Sequence, residues 1–198
     1  MQNFETYFPP SLMLMTERVL LRKLEDDDAE KLFAIAQEPS LFTWFTRYLN
    51  EREGMDGWID EAKFHYQQRI RFPFVVSLKD KDTICGSTSL GNISFPDKRV
   101  EIGWTWYGDT YRGTGINTHC KLLLMQYAFD SMEFERVELK TDALNLRSRA
   151  AMKKLGLIEE GTLRSHMSMP GGRRRDSVYY SVIKSEWPAM RRRLLEML

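Results

Sequence analysis

Cysteine is scarce in this chain: Cys85 and Cys120 are the only two in 198 residues. That excludes a disulfide framework. Neither has a second Cys or a His at zinc-ligand spacing, since the single adjacent pair His119-Cys120 does not make a site, so the thiols are expected reduced and no metal is implied. Long apolar runs are missing as well. No eighteen apolar residues follow one another, and the N-terminus MQNFETYFPPSLMLMTERVL has neither the basic start nor the sustained apolar core of a signal peptide. The expectation is a cytoplasmic protein with no membrane partner. An excess of charge of one sign is lacking too: 29 Lys and Arg against 28 Asp and Glu leave a net charge of +1, no global field for nucleic acid. Repeats and low-complexity tracts are absent. What is present is core material, 42% hydrophobic and 12% aromatic, in a length suited to one domain.

Residues 1–15, with Pro9-Pro10 and scattered Met, read as an arm ahead of a domain spanning 16–198. Alternation predicts a strand over Arg18 to Lys23. Asp26-Asp27-Asp28 then caps a helix reaching about Gln37, and a second helix is expected from Asp56 to about Arg71, ended by Pro73. Between them lies an aromatic stretch without clean periodicity, Phe42, Trp44, Phe45, Tyr48 and Trp58. Phe72 to Leu78, Thr83 to Ile93 and Arg99 to Tyr107 read as an antiparallel meander. A helix from about Gly115 to Ser131 and a strand from Arg136 to Thr141 follow, the order of a right-handed crossover between parallel strands. Arg147 to Leu155 makes a short helix stopped by Gly156. Strands at about 157–167 and 174–183 flank Pro170-Gly171-Gly172, and a helix from Glu186, with Pro188 in its first turn, closes the chain.

The stretch from Val100 to Ala128 carries the most information. A strand runs into Arg112-Gly113-Thr114-Gly115-Ile116-Asn117, and this turn opens an amphipathic helix. Main-chain N–H groups bared where a helix begins, helped by the helix dipole, make an anion site suited to a diphosphate without any Lys. Without further motifs, the same turn would be a plain strand-to-helix connection. Downstream stand Asn145-Leu-Arg-Ser148, Lys154-Leu-Gly156 and Glu160-Gly161.

With these motifs in this order, the chain from about Thr16 to Leu198 resembles the GNAT superfamily of acyl-CoA N-acyltransferases. The branch it is most similar to contains the ribosomal-protein N-terminal alanine acetyltransferases. The resemblance implies an α/β fold: a mixed, mostly antiparallel seven-stranded sheet, helices on both faces and a V-shaped split that admits acyl-CoA. It implies acetyl-CoA as co-substrate and an amine acceptor, a small molecule or a peptide N-terminus. Arg112 through Asn117 match the family's pyrophosphate loop until the last place, where Asn117 stands for a small residue.

The strand Glu101 to Trp106 is, by the same resemblance, the one that splays from its neighbour and offers backbone groups to pantetheine, with Gly103 permitting a bulge. The side chains of Trp104 and Trp106 read more simply as core. Glu101, on the face of Gly103, is the candidate water-mediated base, with pairing to Arg99 as the alternative. Asn145 and Ser148 share a helix face and would meet the carrier, Ser148 also as proton donor to the thiolate. Capping alone would account for Asn145 equally well. Arg149 and Lys153 read as a solvated basic face, with the carrier's phosphates as the alternative, Arg173-Arg174-Arg175 as an exposed hairpin tip, with contact to an acidic acceptor as the alternative, and the aromatics from Phe42 to Trp58 as core or as an acceptor lid. Tyr179 and Tyr180 do not match the family's tyrosine position. The function expected is acetyl transfer to a primary amine by direct attack. A CoA-binding sensor or inactive scaffold is the alternative, and a homodimer through the C-terminal strands or helix is left open.

Overall fold

A computed structural model describes residues 4–81 and 83–198; residues 1–3 of the expected arm and Asp82 lie outside it. Among the described residues eight strands form one sheet: β1 (Met13–Met15), β2 (Val19–Lys23), β3 (Arg71–Leu78), β4 (Thr83–Ser94), β5 (Arg99–Tyr107), β6 (Arg136–Asp142), β7 (Ile158–Ser168) and β8 (Arg174–Ile183). Their order is β1-β2-β3-β4-β5-β6-β8-β7, antiparallel everywhere except between β5 and β6. The sequence reading of seven strands is thus one short. The extra strand, β1, has three residues, too few to show alternation, and it pairs with β2 through Leu14 opposite Leu21. Its segment, read as an arm, packs onto the domain: Phe4 in the short helix α1 (Phe4–Tyr7) and Phe8 are buried in the larger core.

The helices α2 (Ala29–Ile35), α3 (Arg52–Gln67), α4 (Ile116–Gln126), α5 (Leu146–Leu155) and α6 (Trp187–Glu196) cover both faces. Alternation along β3 explains why. Phe74 and Val76 enter a core shared with α4, α5 and α6, while Val75 enters a second core with Leu32 of α2, Phe42, and Trp58 and Ile59 of α3. Each large side chain so buried contributes about 1.5–3 kcal/mol. After α4 the chain widens into a π-helical turn, Tyr127–Ser131, before crossing to β6. No described helix is long and apolar enough to cross a membrane.

The parallel pair is incomplete. β5 and β6 are in register only at Arg99 with Arg136, Val100 with Val137 and Glu101 with Glu138, although both strands continue well beyond. A bulge on the other edge of β5 accounts for the divergence. Ser89 faces Gly103 and Ser87 faces Trp106, so β5 spends three steps where β4 spends two, and Trp104 takes φ +52°. Such an extra residue bends the strand and increases its twist, which carries β5 away from β6. It also reverses the alternation: Ile102 lies in the larger core, but Trp106 lies in the smaller one.

Candidate active site

A cleft of about 870 Å³ occupies the split. Its walls are β5, β6, the starts of α4 and α5, the loop from Leu41 to Thr46, and Arg175 of β8. At one end lies the loop from Arg112 to Asn117. Gly113 has φ +74° and Gly115 φ +89°, conformations that an L side chain resists, and Thr114 Oγ1 donates to the Tyr111 carbonyl at 2.7 Å. The Gly115 carbonyl accepts from the Thr118 and His119 amides at 2.9 and 3.2 Å, whereas the amides of residues 113–117 have no acceptor among the described residues. Nothing lies within 4 Å of where a Gly113 Cβ would be, and beside Gly115 only the Arg18 guanidinium does, at 3.4 Å. Bare amides, open space and a nearby cation fit a diphosphate.

The six loop residues divide in their roles. Arg112 turns its guanidinium to Asp109 at 3.1 Å, Ile116 is buried as an anchor in the larger core, and Asn117 accepts from the Tyr107 hydroxyl at 3.4 Å. The charge near the loop comes instead from Arg18, which precedes β2, lines the cleft and has no ion pair among the described residues. No local motif marks it in the sequence.

Where β5 leaves β6, Glu101 lies 3% exposed in the cleft wall. Its Oε2 accepts from Asn92 Nδ2 and Lys140 Nζ, each at 2.7 Å, while Oε1 accepts from nothing among the described residues. The alternative pairing with Arg99 does not occur, because Arg99 faces Asp97 at 3.6 Å and Glu138 at 4.0 Å. Trp104 stacks beneath the buried Arg71, whose guanidinium is 4.5 Å from the ring centre, and lies so close over Gly91 that a Cβ there would come within 2.4 Å. Half-buried, it lines the cleft instead of disappearing into the core. Trp106 is core: its ring meets Phe42 and Trp58 edge-on at 5.5 and 6.2 Å.

Asn145 caps α5, its Oδ1 accepting from the Ser148 amide at 3.1 Å. The cap fixes the carboxamide and leaves Nδ2 as a free donor. Asn145 and Ser148 both line the cleft. Arg149 instead braces the sheet through the Tyr180 hydroxyl at 3.3 Å and the Ala143 carbonyl at 3.2 Å, and Lys153 pairs with Glu159 at 3.3 Å.

Lys121 in the cleft wall gives no sequence signal, while other residues in and around the cleft read in the sequence only as lid, tip or thiol. Lys121 on α4 is 6% exposed and has no ion pair among the described residues; burial pushes its ammonium down to about 8, opposed by the charges of Cys120 and Glu101. Trp44 faces the cleft, and Arg173 of the hairpin tip reaches across to lie 5.8 Å from its ring centre while bonding Asp142. His119 is buried beside Glu17 at 3.7 Å and shifted down chiefly by burial. Cys120 is pushed up to about 12 and Cys85 to about 11 by burial, so neither thiol is poised as a nucleophile.

Residues 18–158 match the acetyltransferase (GNAT) domain family. The chain belongs to this family. It is therefore an acyltransferase of the N-acetyltransferase class, and the family's co-substrate is acetyl-CoA. The GNAT chain is 29% identical over 177 residues to YdaF of Bacillus subtilis (strain 168), provisionally named a ribosomal N-acetyltransferase, covering 87% of this chain and 95% of that one. It is also 29% identical to the uncharacterized N-acetyltransferase p20 of Bacillus licheniformis, covering 88% and 97%. Among solved structures, a GCN5-related N-acetyltransferase from Brucella melitensis superposes with a TM-score of 0.86 at 28% identity, covering 95% of this chain and 86% of that one. Mycobacterium smegmatis RimJ, solved in complex with CoA-disulfide, shares the fold with a TM-score of 0.76 at 23% identity, covering 90% and 88%.

Proposed function

We propose that this GNAT enzyme transfers the acetyl group of acetyl-CoA to the primary amine of a protein or peptide N-terminus by direct attack. The observation that carries the reading is the presence, in one cleft, of a loop of bare amides and a buried carboxylate with one open oxygen. The loop from Arg112 to Asn117, with Arg18 beside it, receives the diphosphate. The free edge of β5 from Gly103 to Trp106 receives pantetheine as an added strand, and Asn145 Nδ2 and Ser148 reach it from α5.

The attacking nitrogen must be neutral. An α-amino group titrates at about 8 and needs little help, whereas a Lys side chain at about 10.4 needs more. Glu101 Oε1 takes the proton through a water, while Lys140 and Asn92 hold Oε2 and fix the carboxylate plane. Ser148 passes its hydroxyl proton to the departing thiolate and takes a replacement from solvent in the cleft. The naming of YdaF as ribosomal supports a protein N-terminus as acceptor.

A thiol-release assay over N-terminal peptides, polyamines and aminoglycosides tests this. Release with peptides is the expected result. Tight calorimetric binding of acetyl-CoA without release by any amine would instead make the protein a CoA-binding sensor.

A further inference from the structure

On the acceptor side of the cleft the sheet presents charge. Along β8, Val178, Tyr180 and Val182 enter the larger core, so Arg175, Ser177, Tyr179 and Ser181 face the opposite way, beside Lys140 and Glu101. Arg175 is the unusual member. It is 8% exposed and lines the cleft, and burial lowers its pKa despite the opposing charges of Asp142 and Glu101. Its Nε donates to Ser177 Oγ at 3.0 Å, and Ser177 Oγ also meets His166 Nδ1 at 3.0 Å. Nη1 and Nη2 donate to nothing among the described residues.

The carboxylates around it are engaged elsewhere. Asp142 accepts from Arg173 and from the Leu144 amide at 2.9 Å, Glu101 from Lys140 and Asn92, and Glu138 from Arg136 at 2.8 Å. Arg71, the other deeply buried guanidinium, is enclosed between Trp58 and Trp104 and does not reach the cleft wall. The two Nη groups of Arg175 are unbonded but not sealed off as those of Arg71 are, so they open onto the cleft, where an incoming anion can reach them. The guanidinium's two parallel donors match one ligand in particular, a carboxylate bound through both oxygens. Coenzyme A carries no carboxylate, and its phosphates belong at the opposite end, with Arg18 and Gly115. The missing anion belongs to the acceptor.

Resting on the acetyl-transfer reading above, we propose that Arg175 binds a carboxylate of the acceptor, so that the preferred substrates are amines carrying a carboxylate a few bonds from the nitrogen. That group is either the α-carboxylate of a free amino acid or the side chain of Asp or Glu just after a peptide's N-terminal residue.

Matched pairs separate the two sources: alanine against alaninamide, and Ala-Asp-Ala-Ala against Ala-Asn-Ala-Ala, both peptides amidated at the C-terminus. Rates are expressed per neutral amine. For the pair that contains the true acceptor type, the wild-type enzyme is expected to favour the carboxylate member by about tenfold or more in kcat/KM. R175Q should raise KM for that member by a similar factor, leaving kcat, the amide member and calorimetric acetyl-CoA affinity within about twofold. R175K, which keeps charge but not the fork, should fall between.

A merely structural Arg175 would lower both members alike in R175Q, and that result overturns the proposal. So do equal wild-type rates within both pairs, a comparison that stands even if R175Q fails to fold and that leaves acetyl transfer intact. Absence of turnover with every amine overturns the acetyl-transfer reading instead, and this proposal with it.

Discussion

The end of the cleft proposed to take the diphosphate is made from one continuous stretch, Arg112 to Asn117, and offers main-chain N–H groups; the end proposed to take the acceptor gathers Trp44, Glu101, Lys140 and Arg175 from four separated segments and offers side chains. The first is set by local backbone conformation, so glycines announce it. The second exists only once the sheet has formed. If the contrast is real, damage at the two ends must separate into carrier binding on one side and acceptor chemistry on the other.

The largest effect is expected at the backbone end. Gly115→Val forces a branched residue into φ +89° beside Arg18. Calorimetric acetyl-CoA affinity should fall by about 100-fold or more as the amide array is lost. Retained affinity in the folded variant would dissolve the contrast. Next comes Glu101→Gln, expected to lower kcat about 100-fold, a general base's typical share, with acetyl-CoA affinity unchanged. A loss confined to affinity would move Glu101 to the carrier side.

Lys121 sharpens the comparison through stability. Its folded-state value of about 8 lies below the ordinary 10.5, so between these limits the unfolded chain holds the extra proton. Stability should therefore rise with pH across that window, with the full penalty present below about 8. Lys121→Met should stabilise the neutral-pH protein by on the order of 2 kcal/mol, roughly 4–8 °C in Tm, and flatten this pH dependence. A calorimetric melting series in both proteins checks it. The smallest effect belongs to Asn145. Asn145→Ala should lose about 1 kcal/mol of helix capping and about tenfold in acetyl-CoA affinity, whereas Asn145→Asp should keep the cap and lose only affinity. Equal behaviour of the two would mean that the residue only caps.

Much of the sheet could be read from alternation, because β2 to β8 are long enough to show a period of two. β1 could not, having three residues. The glycine-rich turn was legible because positive φ at Gly113 and Gly115 leaves a compositional trace. The bulge was half legible: Gly103 suggested one, but the left-handed residue is its neighbour Trp104, a conformation that residue type does not predict. Lys140 pairs with Glu101 across 39 residues, a distance at which sequence patterns carry no pairing information. Arg175 was hidden inside an Arg-Arg-Arg run that looked solvated, yet strand alternation turns Arg174 outward and Arg175 inward. Of the aromatics between Phe42 and Trp58, Phe42 and Trp58 entered the core, Trp44 and Phe45 line the cleft and Tyr48 is exposed, a division that composition does not encode.

The surplus residue at Trp104 also constrains how such an enzyme can change. β5 keeps its inner layer and its substrate passage distinct only while the residue count between Gly103 and Tyr107 is held; an insertion or deletion there would exchange the two, exposing a packed indole and burying a carboxylate's neighbours. If the acceptor lies where we propose, new acceptor preferences are accessible by swapping side chains in the loop around Trp44 and on β8, while the length of this one strand stays fixed.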